Sequence, residues 1–127
     1  MTQREIVQIP ELPPANPSYS QAVKVGEVVY VAGQIGTDPK TGKLISNNMA
    51  DQTRQALANL DVILRAAGSA IEKTAKTTIY IVDMNQWESM NKVYVSYFPQ
   101  NPPAKTTVEV GKLALGALVE IEAIAAT

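Results

Sequence analysis

The chain has 127 residues, enough for one domain with its own core and too few for two. Hydrophobic residues make up 46% and charged residues 18%, a globular rather than a disordered composition. With 11 Lys and Arg against 12 Asp and Glu the net charge is -1, which argues against a domain built to grip phosphate backbones. There is no Cys and no His. Disulfides, thiolate nucleophiles, Cys- or His-ligated metals and Ser-His-Asp triads are therefore excluded. Any chemistry must rest on carboxylates, amines, hydroxyls and backbone amides.

The first residues carry no apolar run like that of a signal peptide, and no apolar stretch approaches the roughly 18 residues of a membrane span. A cytoplasmic protein with no membrane partner is the expectation. Residues 1–17, with Pro10, Pro13, Pro14 and Pro17, read as an extended or irregular segment of a single domain covering 1–127. Strands follow over 19–25 and 28–31, joined by Gly26-Glu27, a two-residue loop suited to a type II′ hairpin. Residues 33–39 close the second strand, and Asp38-Pro39-Lys40-Thr41-Gly42 is turn chemistry.

A helix is predicted from an N-cap at Asn48, through Leu57, Leu60 and Leu64, to a stop at Gly68. Residues 75–82, rich in β-branched and aromatic side chains, form a strand. A second helix opens at Asn85 with Glu88 in the capping-box position, packs through Trp87, Met90, Tyr94 and Tyr97, and ends before Pro99. Strands at 105–110 and 118–125, separated by a turn region at 111–116, complete the order β-β-α-β-α-β-β. Each helix follows one strand and precedes another, so both should cover one face of a mixed sheet in a two-layer α+β domain. The strands Val28-Val29-Tyr30-Val31 and Ile79-Tyr80-Ile81-Val82 are apolar on both sides, as doubly buried strands are. A homo-oligomer should cover the second face.

Alternation places Lys105, Thr107 and Glu109 on one face of their strand, and Glu120 and Glu122 on one face of theirs. Charges amid apolar strands must be solvated, paired with cations such as Lys105 and Lys112, or functional. A cation and a carboxylate on a rigid sheet at a subunit junction would suit a small acid. Gly33 and Gly36, flanking Gln34, fit turn geometry or exposed backbone amides, but not a phosphate-binding fingerprint. The aromatic residues of the second helix fit its core stripe. Tyr19 lies at the entrance of the first strand, where its hydroxyl could reach a neighbouring subunit.

Several stretches carry a resemblance across almost the whole chain. They are Tyr19-Ser20-Gln21-Ala22-Val23, Ala32-Gly33-Gln34-Ile35, Asp38-Pro39-Lys40-Thr41-Gly42, Pro103-Ala104-Lys105-Thr106-Thr107-Val108-Glu109-Val110 and Val119-Glu120-Ile121-Glu122-Ala123-Ile124-Ala125. Together they resemble the YjgF/RidA family, also labelled the endoribonuclease L-PSP family. The resemblance implies a chorismate-mutase-like fold and a homotrimer with clefts between subunits. It also implies hydrolysis of reactive 2-imino acids and their enamine tautomers to 2-keto acids and ammonia, without metal or organic cofactor. By the same resemblance Glu120 would position or activate water and the backbone at Gly33 would contact substrate. Tyr19 would close the cleft from an adjacent subunit, and Asn91 and Thr107 would line it. Lys105 stands where deaminase members carry Arg, and Thr107 where many carry Cys. Lys keeps the charge but loses the two-pronged fork. A non-catalytic trimeric module binding small carboxylates is the alternative. The older endoribonuclease label fits worst, given the near-neutral charge and absent histidine.

Overall fold

The computed structural model describes residues 3–127, folded as two helices on a mixed six-stranded sheet. The strands are β1 (Arg4–Ile6), β2 (Ala22–Val25), β3 (Val28–Ile35), β4 (Thr74–Ile81), β5 (Ala104–Glu109) and β6 (Val119–Ala126); the helices are α1 (Met49–Ala66) and α2 (Trp87–Tyr97). The sheet order is β1-β2-β3-β6-β4-β5. β6 is inserted antiparallel between β3 and β4, and β5 pairs parallel to β4 at the edge. Among the described residues no helix is long and apolar enough to cross a membrane.

Local signals are realised where the hydrogen bonds are local. Gly26 turns β2 into β3 at φ 59, across the register pair Val25 and Val28. The Asn48 side chain accepts from the Asp51 amide at 3.0 Å to open α1. Gly68, at φ 80, donates its amide to the Arg65 carbonyl while the Ser69 amide reaches Leu64, a complete Schellman stop. Gly36 has an ordinary backbone conformation, yet a Cβ there would fall 2.6 Å from the Gln52 carbonyl oxygen, so glycine is what lets the first turn of α1 approach the end of β3. Gln52, buried in that turn, accepts from the Leu118 amide and donates to the Ser46 carbonyl, both at 2.8 Å.

Three expectations are corrected. The N-terminal segment contains a sixth strand, β1, paired antiparallel with β2. Tyr19 lies ahead of β2 in a loop, and β3 runs on through Gly33 to Ile35, with a register shift between Val31 and Gln34. The second helix does not start on an Asn85 cap. Instead Asp83 accepts from the Asn85 amide, Glu109 accepts from the Met84 amide, and a 3₁₀ turn at Met84–Gln86 leads into α2 with no capping side chain at Gln86.

The core lies between the helices and one sheet face. Val29, Val31, Ile79, Ile81, Val119, Ile121, Ala123 and Ala125 are buried there against Leu57, Leu60 and Leu64 of α1 and Met90, Val93 and Tyr94 of α2. The opposite face carries Val23, Val25, Tyr30, Tyr80, Val108 and Ile124, by register and alternation. Tyr30 is 48% exposed and Val108 39%. Among the described residues no helix covers that face.

Candidate active site

Residues singled out from the sequence fall into two clusters on opposite faces of the sheet. The register decides this. Thr77 is opposite Lys105 and Ile79 opposite Thr107, so both β5 side chains share the helix-covered face. Tyr80 is opposite Glu120 and Thr78 opposite Glu122, so both glutamates share the open face. Within one chain Lys105 and Glu120 cannot meet.

On the open face, Glu120 lines a cleft of about 350 Å³ with Tyr19, Ala32, Gly33, Ile35 and Ala114. Gly33 is needed for proximity rather than for a turn. A Cβ there would lie 2.2 Å from Glu120 Oε2, so the carboxylate rests directly against the backbone of β3. Neither Glu120 nor Glu122 has an ion-pair partner among the described residues. Glu122 instead accepts from the Tyr80 hydroxyl at 3.2 Å. Burial first, and the Glu122 charge second, raise the pKa of Glu120 above the ordinary carboxylate value. A carboxylate so placed is a stronger base than one in water. Next in sequence to Ala114 of that lining, Leu115 is 68% exposed and held at φ 58, a conformation uncommon for a non-glycine residue.

Gly33→Ala should keep the fold, because what must move is the free end of the Glu120 side chain. The carboxylate would be displaced, and a displacement of about 1 Å costs on the order of 10²-fold in rate where geometry is critical. Turnover measured beside a thermal melt checks this. An unchanged rate would show that the position of Glu120 is not critical.

On the helix-covered face, Lys105 extends from the edge strand toward α2. Its Nζ donates to Asn91 Oδ1 at 2.6 Å and lies 4.6 Å from the Tyr94 ring centroid and 5.2 Å from that of Trp87. Burial lowers the lysine's pKa; the ring faces and the amide oxygen act the other way, favouring the ammonium. Tyr94 is itself fixed, its hydroxyl 2.7 Å from Thr77 Oγ1 in the interior. The Thr107 hydroxyl, on the same face as Lys105, is buried without a hydrogen-bond partner among the described residues. Trp87 and Tyr94, expected from the sequence only as packing residues of the core stripe, also present their ring faces to the Lys105 ammonium. Spacings of four and three put Trp87, Asn91 and Tyr94 on one side of α2, a signal available in the sequence.

The chain is thus a two-layer α+β domain with a carboxylate cleft on one sheet face and, on the other, an edge-strand lysine held against two aromatic rings. The family model for Endoribonuclease L-PSP matches residues 10–127, and the chain belongs to this family, the YjgF/RidA family. A RutC family protein of Pyrococcus horikoshii is 44% identical, the match covering 96% of this chain and 97% of that one. The 2-iminobutanoate/2-iminopropanoate deaminase of the rat is 42% identical over 96% of this chain and 89% of its own. The crystal structure of Escherichia coli TdcF with bound serine superposes with a TM-score of 0.91 at 33% identity, covering 97% of this chain and 98% of that one.

Proposed function

We propose that this protein hydrolyses 2-imino acids of the 2-iminobutanoate and 2-iminopropanoate type to 2-keto acids and ammonia. The site is the junction of two protomers, Lys105 of one facing Glu120 of the next. The observation that carries this reading is the separation of the two groups onto opposite sheet faces. An edge strand bearing the cation and an uncovered face bearing the base are complementary halves, and relatives named as deaminases share about 40% identity over nearly the whole chain. Tyr19 lines the same cleft as Glu120, so in this reading it belongs with the base, and the subunit boundary falls between these two residues and Lys105.

In this mechanism the Lys105 ammonium holds the substrate carboxylate. Glu120 takes a proton from a water molecule as the water oxygen bonds to C2 of the protonated imine and the C=N π electrons move to nitrogen. Glu120 then returns that proton to the amine. The C–N bond breaks with its electrons on nitrogen, the hydroxyl proton passes to the departing ammonia, and the carbonyl forms. Raised basicity from burial serves the first step. The buried Thr107 hydroxyl and the Asn91 amide lie beside Lys105 on the carboxylate side.

The assembly is a homotrimer in this proposal, closing the open sheet faces around a three-fold axis. The open face carries exposed apolar side chains from edge to edge, Ile6 (43% exposed) on β1, Tyr30 on β3 and Val108 on β5, which a partner subunit would cover. Light scattering in dilute solution should give three times the protomer mass; a stable monomer would contradict the proposal. A second reading, carboxylate binding without turnover, is favoured by Lys105 being a single ammonium rather than a guanidinium. Keto-acid and ammonia formation from an imine generated in situ separates the two. Release at the uncatalysed rate would leave only binding.

A further inference from the structure

The two glutamates of β6 are not equivalent. Both stand on the open face, two residues and roughly 7 Å apart along the strand. Tyr80 of β4 is directly opposite Glu120, yet its hydroxyl passes that carboxylate and donates diagonally to Glu122 Oε1 at 3.2 Å. Glu120, resting against Gly33, has no such donor among the described residues. Of two carboxylates sharing a site, the one that holds a donor keeps its charge more readily, and that charge favours the neutral form of the other. The other titratable groups nearby do not cancel this difference. Tyr30 and Lys76 flank Ile124, two residues beyond Glu122, and the Lys76 ammonium donates to Thr106 Oγ1 at 2.6 Å. Arg4 is on β1, two strands removed from β6, Lys112 is exposed in the turn before β6, and Tyr19 lines the cleft at Glu120. Among the described residues neither glutamate pairs with a cation. In the proposed junction the next protomer's Lys105 also faces Glu120.

We propose that Tyr80 and Glu122 are positioning residues for the base: by fixing negative charge on Glu122, the Tyr80 hydroxyl assigns the proton taken from water to Glu120. The base must take that proton and return it to the amine. A proton divided equally between the two carboxyls would spend half its time roughly 7 Å from the Gly33 cleft, out of reach of the reacting atoms. The single donor makes the choice. Burial first, and the Glu122 charge second, raise the Tyr80 pKa above its ordinary value, so the hydroxyl stays a donor throughout the neutral range. The proposal rests on the reading of Glu120 as the base of imine hydrolysis.

The test reads Glu120 directly, by carbon NMR of its carboxyl group during a pH titration of the assembled protein. The Glu120 signal is the one absent from Glu120→Gln. Glu122→Gln keeps an acceptor for Tyr80 and removes a like charge, so the Glu120 midpoint should fall by roughly one pH unit. Tyr80→Phe should lower it about half as far and broaden the titration, because Glu122 then competes for the proton. In the Glu122→Gln background Tyr80→Phe should move nothing, since no second carboxyl is left to compete. The acid limb of kcat/KM for imine hydrolysis should follow the midpoint in each variant. An unmoved midpoint in Glu122→Gln would overturn the proposal. Equal shifts from Tyr80→Phe in both backgrounds would remove Tyr80 from it, because the ring would then act on Glu120 through burial alone. Turnover whose acid limb ignores a moving midpoint would overturn both the positioning role and Glu120 as the base. Midpoints that move as expected in a protein without turnover would leave the pair standing and overturn the deaminase reading alone.

Discussion

Glu120→Gln is expected to preserve the fold and carboxylate binding while lowering imine hydrolysis by about 10²–10⁴-fold, the usual contribution of a general base. The amide is nearly isosteric, and the cleft against Gly33 accommodates it as it does the acid. Two pH effects should accompany the loss. Wild-type kcat/KM should fall on acidification with a limb above the ordinary carboxylate range, because burial and then Glu122 raise the Glu120 pKa, and that limb should vanish in the variant. Stability should move oppositely. A carboxyl with a raised folded-state pKa contributes stability below the unfolded-state pKa and loses it as pH rises through the folded-state value. Gln does not titrate, so Glu120→Gln should be the more stable protein at neutral pH, with the difference shrinking in acid. Equal rates for the two proteins would show that another group handles the water.

Lys105→Ala is expected to weaken binding of 2-oxobutanoate by about 10- to 150-fold, the range for losing a hydrogen bond to a charged group. Removing the ammonium leaves Trp87, Tyr94 and Asn91 around an emptied space at the sheet edge, where water can enter. No buried counter-charge is stranded, since among the described residues Lys105 makes no ion pair. The folded state should therefore survive. Calorimetry on the purified variant checks the loss; wild-type affinity would show that the carboxylate is held elsewhere.

Features set by local hydrogen bonds were legible in the sequence. Asn48, Gly68 and the Gly26 turn each depend on residues within five positions, and each appears where expected. The start of α2 was not legible, because Glu109, 25 residues onward, supplies part of its capping and Asp83 the rest. β1 was invisible for a related reason. Three exposed residues carry no alternation of their own, and only pairing with β2 makes them a strand. Candidate site residues were nameable as charges within apolar strands, and alternation grouped them correctly within each strand. Whether the Lys105 face and the Glu120 face coincide depends on the registers of both strands against β4, which no local pattern reveals. The role of Gly33 was ambiguous for the same reason. Its need is set by Glu120 on a neighbouring strand, not by its own dihedral angles.

The central claim is that one active site draws Lys105 and Glu120 from different protomers, and complementation tests it most directly. Lys105→Ala and Glu120→Gln, each strongly impaired alone at subsaturating substrate, are co-refolded in equal amounts, and mixed oligomers are verified by native mass spectrometry. In a closed ring with random mixing, about a quarter of the junctions regain both an intact lysine and an intact glutamate, so about a quarter of wild-type activity should return. If mixed oligomers form and activity stays at the level of the separate variants, the two residues do not serve a shared inter-subunit site, and the account is contradicted.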